Sequence, residues 1–234
     1  MENPQSRQEL AYEYLKKQIE ARVLRPGVIY SETRMAKELQ ISRTPFKDAL
    51  VRLSQNRYID ILPSRGFCLH VIGREDVINT FQVRMALEGF CALNLLEHQH
   101  TPKGKLTLHQ LTQTLDRMQT LGQKETERTE FVRQDTAFHQ LLIDFVENKE
   151  FAGLFASHLH QIAVLAGESL LQPNRPQDTI QEHRAILQAI LDREPMACYR
   201  AVETHMIHAR DINLQQMAEQ TDILLQKEHS QRPL

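Results

Sequence analysis

Apolar residues recur at helical steps along most of this chain. Leu10, Tyr14, Leu15, Ile19 and Val23 share one face between Gln8 and Arg22. Arg25-Pro26-Gly27 then supplies a proline stop and a glycine turn. Ser31-Glu32-Thr33-Arg34 opens a second helix with Met35, Ala36 and Leu39 inward, and Gln40-Ile41 turns into a third. In that third helix Ser42 is a good N-cap type, and Pro45 falls in the first turn, where a missing N–H costs nothing. Phe46, Ala49, Leu50 and Leu53 follow on one apolar face. Two β-prone runs come next, Tyr58–Leu62 and Gly66–Ile72, separated by Pro63-Ser64-Arg65-Gly66. The pattern predicts three short helices with a tight turn between the second and third, then a hairpin with a basic tip. That is a winged helix-turn-helix.

From Val77 onward strand signals are sparse. Helical periodicity is interrupted at Thr101-Pro102, between Gly122 and Thr129, near Asn148, from Pro173 to Pro176 and at Pro195. About six helices result, which is enough for an antiparallel all-α bundle. The expected organisation is a winged domain over 1–74, a helical domain over 75–228 and a frayed polar tail over 229–234. The fold class is mostly α with one small β-hairpin.

The composition is ordinary for a globular chain: 41% hydrophobic and 25% charged residues over 234 positions. No apolar run approaches the roughly 18 to 20 residues of a membrane helix. The opening Met-Glu-Asn-Pro has no apolar stretch of the signal-peptide kind. Cys68, Cys91 and Cys198 are scattered and lack a Cys-x-x-Cys pair, as in a reducing compartment. A cytoplasmic protein is expected. The net charge of −2 conceals an asymmetry. Residues 1–75 hold 13 Lys and Arg against 9 Asp and Glu, while the remainder holds 15 against 21. A basic first third joined to an acidic remainder suggests two tasks, one of them directed at a polyanion.

The third helix has the polar start that a major-groove reading helix needs, with Ser42, Arg43, Thr44 and Lys47 off its apolar face. Pro26-Gly27, Glu32, Ala36, Leu39, Ser42-Arg43-Thr44-Pro45, Ala49-Leu50, Leu53 and the Pro63-x-Arg65-Gly66 wing resemble, in order and spacing, the GntR family of bacterial transcription regulators. The resemblance implies DNA contacts from Ser42, Arg43, Thr44 and Lys47, and from Arg65 and Gly66 of the wing. Two departures stand out. Lys47 replaces the family's usual Arg, exchanging a bidentate contact for a point charge. Asn56-Arg57-Tyr58 replaces a helix exit that ordinarily carries glycine.

In the helical part, Asp135 and His139 are four apart and leave one face of one helix. His183 and His205 fall on two later helices. One carboxylate and three imidazoles from three helices could converge on a divalent ion, zinc first, nickel or manganese otherwise. Spacing alone leaves surface or capping roles open in a chain with 11 histidines. However, Asp135-x-x-Phe138-His139, Glu182-His183 with Ile186-Leu187 and Ala189-Ile190, and His205 are similar to the FCD effector-binding domain of the FadR-type branch of GntR regulators. In that domain the matching Asp and three His bind a metal. Arg84-Met85-Ala86-Leu87-Glu88 resembles the domain's entry helix, whose arginine can face the effector. Arg84 could equally pair with Glu88 one turn on.

Together these readings predict a homodimeric DNA-binding regulator, in the family's usual habit a repressor. Its operator affinity would be switched by a small organic acid bound at the metal and met by Arg84. The competing readings are a metal-dependent enzyme acting on a small carboxylate and a regulator with a purely structural ion. No His-Glu-x-x-His, nucleophile elbow or phosphate loop supports an enzyme.

Overall fold

The structure is a computed structural model and describes residues 6–121 and 125–230, with Glu125 and 221–230 in backbone only. The chain divides into two compact units at Ile72/Gly73. The first contains α1 (Arg7–Glu20), α2 (Glu32–Glu38), α3 (Arg43–Gln55) and an antiparallel hairpin of β1 (Ile59–Leu62) and β2 (Gly66–Leu69). Ile59 pairs with Leu69 and Leu62 with Gly66.

The core of this unit is the set of apolar faces read above. Leu15, Phe46, Leu50, Leu53, Ile59 and Phe67 are all buried. Ser6 and Ser31 cap α1 and α2 through their hydroxyls. Ser42 stands at the N-cap of α3 with extended backbone, but its hydroxyl makes no capping bond, a departure from the predicted cap. Arg52 of α3 is engaged despite being partly exposed. It pairs with Glu9 and lies over the Tyr12 ring, tying α3 to α1. The helix exit that lacks glycine is made by Arg57 itself, in the left-handed region at φ 57°. At the wing, Gly66 has φ 118°, and a Cβ there would lie 2.1 Å from the Tyr30 carbonyl oxygen. Tyr30 and Phe67 exchange backbone hydrogen bonds at that spot, so only glycine lets the strand approach.

The second unit, Gly73–Phe155 and onward from Gln161, is helical throughout its described residues. It comprises α4 (Arg74–His98), α5 (Pro102–Leu121), a short 3-10 turn (Glu125–Glu127), α6 (Arg128–Val146), α7 (Lys149–Ser169), α8 (Arg175–Leu191) and α9 (Pro195–Ser230). The boundaries follow local chemistry. Thr101 Oγ1 accepts from the Gly104 N–H at the start of α5, and Asn148 Oδ1 accepts from Glu150 and Phe151 at the start of α7. Pro176 and Pro195 sit in the first turns of α8 and α9. Of the predicted break between Gly122 and Thr129, positions 122–124 lie outside the described residues. So do 231–234 of the expected tail, while 229–230 continue the α9 backbone. Among the described residues no helix is long and apolar enough to cross a membrane.

Candidate metal centre and DNA-facing surface

Helix α6 buries Phe131, Phe138 and Leu142, and the same inward stripe carries Asp135 and His139 into the bundle. Helix α8 brings His183 inward beside Ile180, Ile186 and Leu187. Helix α9 brings His205 inward beside Val202 and Met206. The four side chains, from 0% to 5% exposed, each offer a donor atom, and those atoms all lie within 4.8 Å of one another. His183 Nε2 is 3.1 Å from His139 Nε2 and 3.4 Å from His205 Nε2. Asp135 Oδ1 lies 3.6 Å from His183 Nε2 and 3.9 Å from His139 Nε2. Donors bound to one ion at roughly 2.0 to 2.2 Å stand about 3 to 3.6 Å apart. The three separations from His183 Nε2 fall in that range, and the wider ones, up to 4.8 Å, would have to close slightly around a shared cation.

The outward nitrogens of two of these rings face carboxylates. His139 Nδ1 lies 2.5 Å from Glu88 Oε2, and His205 Nδ1 lies 2.7 Å from Glu182 Oε2. Glu182 is held ionised and only accepts, so His205 Nδ1 carries the proton and its Nε2 presents a bare lone pair. Ring nitrogens and a carboxylate aimed at one point in a dry interior need a positive centre among them, either the proton of His183 Nε2 or a cation. His183 is held differently: its ring stacks on Phe138, with centroids 4.3 Å apart and planes 5° from parallel.

Burial keeps the three imidazoles in their neutral, ligating form and works against the ionised form of Asp135. Burial holds His139, His183 and His205 below the ordinary imidazole value, the first two well below, while Glu182 partly opposes the shift at His205. Burial pushes Asp135 up to about 6 against the pull of Arg84 and Arg175. It also pushes Glu88 up, against Arg84. At Glu182 burial again works upward, but His205 and Arg175 outweigh it and hold the carboxyl at about 2.

A cavity of about 20 Å³ adjoins the cluster, lined by Asp135 and His205 together with Arg84 and Arg175. Arg84 pairs with Glu88 and also lines this cavity. Its Nε donates to Glu88 at 2.8 Å, and the side chain also faces the cavity, where Nη2 is buried without a partner. Arg175 was missed. Its Nη1 donates to Glu182 at 2.7 Å, and its Nε is likewise buried and unpartnered. The spacing to Glu182, seven residues on one helix face, was the available signal. His208 is exposed and touches Glu182 Oε1 at 2.9 Å, outside the cluster.

In the first unit, Ser42, Arg43, Thr44, Lys47 and Arg65 are exposed and Gly66 half-buried, while Phe46, Ala49, Leu50 and Leu53 are turned to the core. Lys47 of α3 and Arg65 and Gly66 of the wing line one groove. Two cations, with Glu32 of α2 beside them, thus line one concave surface between the third helix and the hairpin.

A winged helix-turn-helix together with a helical domain defines a class, the two-domain DNA-binding regulators. Residues 7–69 match the bacterial regulatory proteins of the gntR family, and residues 79–208 match the FCD domain. The chain belongs to the GntR family, in the branch that carries an FCD domain, and is a DNA-binding transcriptional regulator rather than an enzyme. Among its relatives is the HTH-type transcriptional regulator YdhC of Bacillus subtilis, 26% identical over 202 residues, or 84% of this chain and 86% of the relative. The HTH-type transcriptional repressor RspR of Escherichia coli is 24% identical over 200 residues, 83% of each chain. The solved structure of E. coli McbR/YncC shares the fold with a TM-score of 0.64 at 20% identity, covering 91% of this chain and 99% of that one.

Proposed function

We propose that this regulator is a homodimeric repressor whose grip on its operator is switched by a small carboxylate bound against a divalent ion. Asp135, His139, His183 and His205 would hold the ion, most suitably zinc, with nickel or manganese as alternatives. Arg84 and Arg175 would meet the carboxylate. The observation that carries this reading is the junction of cluster and cavity: two guanidinium groups with buried unpartnered N–H donors line the same small space as Asp135 and His205. Such donors are costly to leave unpaired, and an anion would satisfy them. A purely structural ion would leave the remaining buried N–H donors of both arginines unanswered. The name of the relative RspR supports repression as the sign of regulation.

The ion would supply a Lewis-acidic anchor for the carboxylate. Binding moves the operator equilibrium only through a difference in affinity between the two conformations, so tightness alone does not switch it. Two copies are required because one recognition helix reads too little DNA, and paired half-sites multiply specificity. The test is a melting-temperature screen of small mono-, di- and tricarboxylates on metal-loaded protein. At least one acid is expected to protect and to release operator DNA, and chelation should abolish both effects. Protection that survives chelation would overturn the reading.

At the DNA, Ser42, Arg43, Thr44 and Lys47 would act from α3 and Arg65 and Gly66 from the wing. Arg43→Ala is expected to weaken binding to an operator selected from random duplexes by about 1–3 kcal/mol and to relax base preference at one position. Lys47→Ala should instead weaken binding to all sequences and lower the salt slope by about 1. Fluorescence anisotropy at several salt concentrations separates the two.

A further inference from the structure

We infer that Glu88 and Glu182 are positioning residues for the cation, each orienting one imidazole from behind while an arginine of the cavity wall holds the carboxylate in turn. The inference rests on reading Asp135, His139, His183 and His205 as a cation site. Two parallel relays are visible. In one, Arg84 Nε donates to Glu88 Oε1, and Glu88 Oε2 faces His139 Nδ1. In the other, Arg175 Nη1 donates to Glu182 Oε1, and Glu182 Oε2 faces His205 Nδ1. Their origins differ. Arg84 and Glu88 are one turn apart on α4 and reach across to α6, whereas Arg175 and Glu182 are two turns apart on α8 and reach α9.

Glu182 does two things to His205. The hydrogen bond fixes the proton on Nδ1, leaving Nε2 as the free lone pair, and the carboxylate's charge raises the basicity of that lone pair. Glu88 would do the same for His139 in its ionised form, which Arg84 favours and burial opposes. His183 has no carboxylate behind it: its Nδ1 is buried with no partner and its ring stacks on Phe138. The two relays differ in turn. His205 Nδ1 and Glu182 Oε2 make a hydrogen bond, whereas His139 Nδ1 and Glu88 Oε2 stand within ion-pair distance but outside hydrogen-bond geometry. The relays also join the ion to the cavity. An anion that engages Arg84 or Arg175 touches the first link of a chain whose last link is a cluster histidine, so anion and cation would report on one another.

Replacing either glutamate by glutamine keeps the size and an acceptor oxygen but removes the charge. Calorimetric titration with zinc should show an affinity lower by about 10- to 100-fold in both Glu88→Gln and Glu182→Gln. In metal-free protein, the ¹⁵N shifts of labelled histidine should place the proton of His139 and His205 on Nδ1. Glu88→Gln should disturb that pattern at His139 alone, and Glu182→Gln at His205 alone. A residue that merely supports packing would lower the melting temperature while leaving affinity and ring shifts in place. Wild-type zinc affinity in both variants, or Nε2 protonation of His139 and His205 in the parent, overturns the inference and leaves the cation reading standing. Absence of zinc binding in the parent overturns both. If Glu88→Gln fails to fold, the half-buried Glu182 carries the test by itself.

Discussion

Zinc added to chelator-treated protein is expected to raise the melting temperature by roughly 8 to 16 °C, and His183→Ala should lose nearly all of that rise. The magnitude follows from mass action. An ion at about a thousand times its dissociation constant stabilises the folded form by about 4 kcal/mol, and a domain of this size gains about 2–4 °C per kcal/mol. His183 is the most informative ligand to remove because its Nε2 lies closest to both other imidazole nitrogens. Loss of its ring also removes the stack on Phe138, so the variant melts lower even without metal. The diagnostic quantity is therefore the zinc-induced difference within each variant, read by differential scanning calorimetry. A rise in His183→Ala equal to that of the parent would remove the site from the protein's chemistry.

The second large effect is expected in the winged unit. Phe46→Ala should cost about 3–5 kcal/mol, from lost burial and the space left behind. Phe46 is among the largest fully buried side chains, packed with Leu15, Leu50, Leu53, Ile59 and Phe67. A unit of about 70 residues has little stability in reserve, so this loss should leave it substantially unfolded at 37 °C. Operator binding should disappear while the zinc response of the helical unit persists. Circular dichroism melts and anisotropy on the same preparation would check both halves. Retained operator affinity would mean that this core does not hold the reading helix.

How much of this was legible beforehand varied with distance along the chain. The winged fold announced itself through short-range signals: Ser31 and Ser42 before apolar stripes, Pro45 inside a first turn, a period of two after Tyr58. The bundle helices were punctuated equally clearly by Pro102, Asn148 and Pro195. What escaped depended on pairs far apart in sequence. Glu88 was visible only as the neighbour of Arg84, because nothing in the spacing of α4 tells that its other oxygen meets His139 on α6. Arg175 was absorbed into a proline-rich interruption, although it opens a helix and lies on the face of Glu182. The left-handed exit at Arg57 was hidden for a different reason, since its backbone is dictated by the hairpin that follows and not by the residue's own preference.

The size of the chamber beside Asp135 and His205 sets the tempo of any switch built on it. At about 20 Å³ it has room for roughly one water molecule. If the proposed acid binds there, the surrounding helices would have to part to admit it, and capture would be timed by their breathing and not by collision. Its observed rate should climb with concentration and then level off at the opening rate. Once enclosed, the acid would be slow to escape, and the regulator would respond to sustained supply of the metabolite while passing over brief pulses.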